Sequence, residues 1–538
     1  MSKTFNYFFK IANNNDEFEQ IYQLNYQTFS EEIPQHEQNA ERKLIDPFHD
    51  ENTYIICLKE RELVGMVAVR SNRPFSLDRK IGPVEESLPF TFKQPCEIRL
   101  LAVKKEYRNG QVFFGLVQFL VKYCLKKGCD IAFISGTVRQ LKLYRHMGFK
   151  PFSHLTGTED ARYQPMFLTK QTFELSLAGR TMKKDFSFLP GPVAISDNVH
   201  EALNRAPYSH RSEHFHETIT ATKKQLCQLV NSQYVQILTG TGTLANDVVA
   251  AQLSLVPGKG LILTNGEFGR RLVEQARRLG LRFNVLNKEW GEPFSKEEIV
   301  EGLLRETTWI WAVHSETSTG MLNDLELLKE ISSDYDIKLC LDCISSIGAI
   351  PVDLEGVYLT TGVSGKALHS FTGLSFVFHH HEVGPSPILP AYLDLGTYME
   401  KGSIPFSASS NLVEALHSAL ENISEETFVK TAESHQWLKK KLRERGFQLV
   451  TDGESSSPII VTIELPKSIP SVEIGSLLYY YNYHLHYESD YLKARNWIQI
   501  ACINDYPVAI LERMLELLSM AKETFFNAAY QQSSIFPY

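Results

Sequence analysis

The chemistry this chain can do is concentrated in one acid and one lysine. Asp342 lies in the apolar run Lys338-Leu-Cys-Leu-Asp-Cys-Ile, and Lys366 follows 24 residues later among Ser364, Gly365 and Ala367. An unpaired carboxylate in such a run is costly, so its charge calls for a cationic partner. A protonated pyridine nitrogen would serve. A lysine able to form a Schiff base, flanked by small residues that admit a planar ring, is the second anchor that pyridoxal phosphate requires. The alternative for this pair taken alone is a buried salt bridge.

The surrounding segments have to hold these two side chains. From Val235 to Phe378, short β-rich runs alternate with helical ones, with strands expected near 235–238, 260–265, 282–287, 308–314, 338–344 and 374–379. That alternation predicts a largely parallel sheet covered by helices on both faces. The first strand leads into Leu238-Thr-Gly-Thr-Gly-Thr-Leu-Ala-Asn246 and then a helix. Glycines allow the tight turn, while threonine hydroxyls and N-terminal amides can hold a phosphate dianion. With Asp342 and Lys366 in the expected order, this points to pyridoxal phosphate.

Gly191-Pro192, Ser209-His-Arg-Ser212, Asn265-Gly-Glu-Phe-Gly-Arg270, His314-Ser-Glu-Thr-Ser-Thr-Gly320 and Asp342-Cys-Ile-Ser-Ser346 stand in one order along the chain. In this, residues 186–530 resemble the class V aminotransferases, the group of alanine–glyoxylate, serine–pyruvate and 2-aminoethylphosphonate–pyruvate transaminases. The resemblance implies that Thr241, Gly242 and Thr243 hold the phosphate, that Phe268 stacks on the pyridine, and that Ser318 contacts the ring. For Phe268 the alternative is a core position at a helix start. It further implies that Gly191 borders the substrate and that Ser403 reaches the phosphate of the neighbouring subunit in a homodimer. The family's arginine for the substrate carboxylate falls on Gln499, which offers hydrogen bonds without charge. Arg495 is then a replacement from a new direction, unless the substrate presents something other than a carboxylate.

Ahead of this lies a different pattern. A helix over 16–30, strands over Thr53–Leu58, Leu63–Arg70 and Cys96–Val103, the basic turn Lys104-Lys-Glu-Tyr-Arg-Asn-Gly110 and a helix over Val112–Lys127 follow one another. Strand, basic turn and helix start make an anion-accepting arrangement. Together with Leu143-Tyr-Arg-His-Met-Gly-Phe-Lys-Pro-Phe152, the segment resembles GNAT-type N-acyltransferases and, through Tyr26-Gln-Thr-Phe-Ser-Glu-Glu32, acyl-homoserine-lactone synthases. The resemblance implies that Arg108 and Gly110 hold the pyrophosphate of acyl-coenzyme A, that Tyr144 is the general acid, and that Glu97 is a general base or an acceptor-amine contact. A packed helix tyrosine and a surface-facing strand acid are the alternatives. Gln111 and Phe113 stand where the family has small residues, and there they would crowd a pyrophosphate. A degenerate structural domain therefore stays open.

The 538 residues carry a net charge of −8 with both signs interspersed, which argues against a nucleic-acid surface and for small-molecule partners, an amino donor and a keto or aldehyde acceptor. The eight cysteines lack disulfide-like spacing, and Cys340 and Cys343 read as core packing within the Asp342 strand. Neither an export signal nor a run of 18 apolar residues is present, so a cytoplasmic protein without a membrane span is expected. The predicted organisation is α/β: a GNAT-like α+β domain over 1–177, a linker over 178–187, and a fold-type-I domain over 188–538, divided into a large part to about 420 and a small α+β lobe from about 421. The expected activity is transamination of a small amino compound joined to acyl-coenzyme-A-dependent N-acylation. The rival is lyase or desulfurase chemistry beside a non-catalytic acyl-binding or dimerising module.

Overall fold

The computed structural model describes residues 6–157, 162–182 and 184–534. Lys183 of the expected linker, residues 1–5 and 158–161 of the expected N-terminal domain and residues 535–538 of the C-terminal lobe lie outside the described residues. The chain divides into two compact units, one of Met1–Asp185 with Tyr479–Asn482 and Phe526–Tyr538, the other of Phe186–Leu478 with Tyr483–Phe525.

The first unit is built on β1 (Phe8–Ile11), β2 (Thr53–Lys59), β3 (Glu62–Arg70), β4 (Pro95–Val103), β5 (Ile131–Thr137), β6 (Lys150–Pro151) and β7 (Tyr163–Thr169). They form one sheet in the order β1-β2-β3-β4-β5-β7-β6. All neighbours are antiparallel except β4 and β5, which run parallel. The centre of β3 is apolar and buried at nearly every position because both of its faces are covered. The helix Asn15–Tyr26 is capped by Asn14, whose side chain accepts from the Glu17 amide. The helix Gln111–Lys126 buries Val112, Leu116, Val117, Phe119 and Leu120, an apolar stripe at three- and four-residue spacing.

The second unit opens with β8 (Phe186–Phe188) and continues through β9 (Tyr234–Thr239), β10 (Lys259–Thr264), β11 (Phe283–Asn287), β12 (Thr307–Val313), the short β13 (Ser315–Glu316) and β14 (Met321–Leu322), β15 (Lys338–Asp342), β16 (Leu359–Val363) and β17 (Leu374–His379). The main sheet has the order β11-β10-β12-β15-β16-β17-β9, parallel except for β17, which is antiparallel to both neighbours. Cys343 packs in the core cluster on one face and Cys340 in the cluster on the other, so the two cysteines do not form a ligand pair. The remaining strands are β18 (Gln448–Leu449), β19 (Ile460–Glu464), β20 (Tyr483–Leu485) and β21 (Trp497–Ala501). Of these, β18, β19 and β21 make an antiparallel sheet, and β20 pairs with β8.

The sequence reading misses β16, whose Leu-Thr-Thr-Gly-Val offers no alternation and is buried on both faces. Two helices, Ser410–Leu420 and Glu425–Glu444, lie between β17 and β18. Among the described residues, no helix is long and apolar enough to cross a membrane.

Candidate active site

The parallel strands deliver the site. β15 ends at Asp342, and the loop after β16 carries Lys366, so adjacent C-terminal strand ends bring the acid and the lysine to one edge of the sheet. They do not pair with each other. Asn246 Nδ2 donates to Asp342 Oδ2 at 2.9 Å, the Ile344 amide donates to Oδ1 at 3.0 Å, and Lys366 Nζ donates to Ser345 Oγ at 2.7 Å. Among the described residues no cation forms an ion pair with Asp342, which excludes the buried salt bridge as the reason for the acid. Burial pushes the Asp342 carboxyl up against the pull of the Asn246 and Ile344 donors, and burial pushes the Lys366 amine down. Asn246 is itself fixed by Thr361 Oγ1, which donates to its Oδ1 at 2.9 Å.

Helix Gly242–Leu253 begins directly above this pair, with Thr241 as its N-cap and no side-chain bond from Thr241 back to the helix. Thr241 and Thr243 are exposed and Gly242 is buried. A Cβ at Gly242 would lie 2.4 Å from Ile344 Cδ1, so glycine is what lets the helix start approach the Asp342 loop. Phe268, in the first turn of helix Glu267–Arg278, has its ring centroid 5.3 Å from Lys366 Nζ. Gly191 lies on the other side, where a Cβ would sit 3.8 Å from Lys366 Cγ.

These residues fit pyridoxal phosphate by their donor set. A buried carboxylate without a counter-cation suits a ring N–H, a buried amine bonded only to a serine suits a carbonyl carbon, and open amides at a helix start suit a phosphate.

Other expected site residues are engaged within the protein. Ser318 is fully buried and does not present a free hydroxyl to a ring: its Oγ donates to Glu316 Oε1 and accepts from the Glu267 amide at 2.9 Å. Its role is to fix the turn that carries Phe268. Ser403 is buried, accepts from the Ile237 amide at 3.1 Å and donates to Gln236 Oε1 at 2.9 Å. Gln499 is fully buried. Its Nε2 donates to Thr317 O, Ser318 O and Thr462 Oγ1 at 2.7, 3.1 and 2.8 Å, and its Oε1 lies 2.8 Å from His486 Nδ1. An amide oxygen only accepts, so His486 carries its proton on Nδ1 and accepts from Ser489 Oγ on Nε2. Burial and the charge of Lys366 both disfavour a second proton on His486.

Gln499 thus ties together the Thr317 and Ser318 carbonyls, Thr462 and His486. Gln499→Leu should lower stability by about 2–4 kcal/mol, because three acceptors and one imidazole donor lose their partner. Denaturant unfolding with unchanged slope would show it.

Arg495 stands where an acidic group could be met. Its guanidinium lies 3.4 Å from the Trp290 ring centroid, and Arg270 lies 5.1 Å from the same ring. Neither has an ion-pair partner among the described residues. Both line a cavity of about 560 Å³ together with Arg271, Glu267, Glu488 and Tyr491.

Glu316 is a buried acid that the sequence reading passed over. It accepts from the Ser318 and Gly269 amides at 3.1 and 2.9 Å, and burial raises it from 4.5 to about 7. The neutral form is therefore favoured in the fold. Its contribution to stability is complete below about pH 4.5 and lost as pH rises through about 7, a swing of about 3 kcal/mol. In Glu316→Gln that part of the slope of stability against pH should vanish, which thermal melts of both proteins across the window would measure.

In the first unit, Arg108 is not a free anion ligand. Its two terminal nitrogens grip the Glu32 carboxylate at 2.6 and 2.7 Å, and its Nε donates to Val103 O at 2.8 Å. Gly110 caps the helix Gln111–Lys126 at φ 90°, a conformation that side chains disfavour, and Asn109 Oδ1 accepts from the Gln111 amide. Glu97 is neither surface-facing nor a free base: it is buried and takes three hydrogen bonds, from Ser76 N, Ser76 Oγ and Leu77 N. It anchors the loop before the helix Asp78–Ile81. Tyr144 packs over Gly136, where a Cβ would meet its ring at 2.9 Å, and burial raises its phenol, keeping the proton on.

Comparison with known proteins agrees with this division. Residues 20–170 match the family of the N-acyl amino acid synthase FeeM, and residues 195–445 match the class V aminotransferases. The chain is 31% identical over 299 residues to a 2-aminoethylphosphonate–pyruvate transaminase of Pseudomonas fluorescens, covering 52% of this chain and 80% of that one. It is 29% identical over 300 residues to the soluble hydrogenase 42 kDa subunit of Anabaena cylindrica, covering 52% and 78%. Among solved structures, an aspartate aminotransferase of subgroup IV from Thermus thermophilus superposes with a TM-score of 0.58 at 25% identity, over 63% of this chain and 100% of that one. With the lysine, the acid and the helix start assembled at one sheet edge, the chain belongs to the class V aminotransferase family and carries ahead of that domain one of the FeeM, GNAT-like type.

Proposed function

We propose that the second unit transfers an amino group between a small acidic amine and an oxo acid, and that the first unit acylates an amine with an acyl-coenzyme A donor. The observation that carries the first half is the pair of buried, mutually unpaired groups, Lys366 on Ser345 and Asp342 on Asn246. Pyridoxal phosphate, when bound, supplies an aldehyde that captures amines and a ring that accepts electron density from Cα. Lys366, whose charge burial disfavours, would serve as the base that moves the proton at the substrate's Cα. Asp342 would hold a proton on the ring nitrogen, Phe268 would cover one ring face, and Thr241, Gly242 and Thr243 would hold the phosphate.

The amine's acidic end is assigned to Arg270 and Arg495, whose guanidiniums flank Trp290 without carboxylate partners. The similarity to transaminases of 2-aminoethylphosphonate supports an amine whose acidic group is distant from the nitrogen. For acylation, the amine attacks the thioester carbonyl, the C–N bond forms, the C–S bond breaks, Tyr144 protonates the departing thiolate, and the proton that the amine nitrogen loses returns through solvent to Tyr144. A homodimer in the cytoplasm completes the reading, supported by the family resemblance.

Purified protein given 2-aminoethylphosphonate and pyruvate should form alanine, and with an acyl-coenzyme A added it should also form an amide detectable by mass. No alanine across a panel of acidic amines would sink the transamination. Alanine without amide would sink the acylation. Arg495→Ala should raise KM for the acidic amine about tenfold or more, as loss of a charge-assisted contact predicts, with kcat little changed.

A further inference from the structure

The first unit gathers three cysteines from separate elements. Cys96 sits on β4, Cys124 in the last turns of the helix Gln111–Lys126, and Cys129 in the turn leading into β5. Their Sγ atoms all lie within 4.8 Å of one another, and among the described residues no other group of three His, Cys, Asp or Glu side chains converges so closely. Cys96 Sγ and Cys124 Sγ are 3.8 Å apart. A disulfide needs about 2.05 Å. Zinc–sulfur bonds of about 2.3 Å at tetrahedral angles place neighbouring sulfurs about 3.8 Å apart.

The scaffold presets this arrangement. The Cys129 amide donates to the Cys124 carbonyl at 3.0 Å, closing the turn between the two. Asp130 accepts from the Lys93 and Gln94 amides at 2.6 and 3.0 Å, which ties the start of β4 to the start of β5 and fixes Cys96 relative to Cys129. Both Asp130 oxygens are thereby engaged, and the carboxylate is not a fourth ligand. Cys96 is buried, whereas Cys124 and Cys129 are half-buried and line a cavity of about 360 Å³ with Ile98, Met147 and Phe149. That cavity leaves one side of the sulfur triangle open.

We propose that Cys96, Cys124 and Cys129 form a three-thiolate site for a divalent zinc ion, with the fourth position left to water on the cavity side. Soft thiolates select zinc over magnesium or calcium, and binding would release the thiol protons to solvent. The site is independent of the aminotransferase chemistry, since its ligands all belong to the first unit.

The full-length protein, purified without metal-affinity steps, should contain about one zinc per chain by elemental mass spectrometry. Cys96→Ser and Cys124→Ser should each reduce that to none, while Cys227→Ser, in the other unit, should leave it unchanged. Added cobalt should give a near-ultraviolet thiolate-to-cobalt band in the metal-stripped wild type and none in the variants. A far-ultraviolet circular dichroism spectrum matching wild type shows that the variants are folded. Should they fail to fold, the cobalt spectrum of the wild type alone decides. A wild type that holds no zinc and takes up no cobalt overturns the site, as does a mass two protons lighter that reports a disulfide among these residues.

Discussion

Lys366→Ala should be colourless and should lose about 10⁴-fold or more in transamination rate. The size follows from the number of tasks on one nitrogen. In the proposed mechanism Lys366 both anchors the cofactor and moves the proton at Cα. Ser345, its hydrogen-bond partner at 2.7 Å, cannot take either task. Because burial already disfavours the ammonium, its removal relieves a desolvation cost, and the cofactor-free variant should melt at or above the wild type. Visible absorbance, single-turnover rates and a melt taken together test this. Retained colour that survives dialysis, or a rate within tenfold of wild type, would mean that the chemistry lies elsewhere.

Asp342→Asn should cost about 10²–10³ in rate while leaving the fold intact, the range typical for loss of one electrostatic anchor. Asparagine keeps the shape but cannot hold the ring nitrogen protonated. It also turns an amide toward either Asn246 Nδ2 or the Ile344 amide, both of which are donors. Cofactor affinity should therefore fall as well, measurable by fluorescence titration of the stripped protein. A rate and an affinity both near wild type would remove Asp342 from its assigned role.

The sequence was most legible where backbone and cofactor chemistry demand particular residue types. Asp342, Lys366, Phe268 and the Thr241–Thr243 turn meet at one sheet edge, because parallel strands place their C-terminal ends together. Other expected site residues are less legible. Arg108, Glu97, Ser318, Ser403 and Gln499, expected from the resemblance to meet a ligand, are each engaged by a neighbour that linear order does not reveal: Glu32, Ser76, Glu316, Gln236 and Thr462. Asn246 was within reach of sequence reasoning, since it closes the quoted glycine–threonine run one helical turn after Gly242. The cysteine triad was not, because Cys96 joins Cys124 and Cys129 only through the parallel pairing of β4 with β5.

The separation of Asp342 from Lys366 also bears on how much of the protein is folded. Each is an ionisable group whose charge burial disfavours, and without a direct ion pair each offsets the other's cost only in part. A ligand that neutralises both binds the native state alone, so it shifts the folding equilibrium by mass action, by about 2.7 kcal/mol at a hundredfold excess over Kd. Newly made chains and cofactor-depleted cells should therefore hold a larger unfolded or degraded fraction, and the supply of cofactor sets the amount of this enzyme as well as its activity.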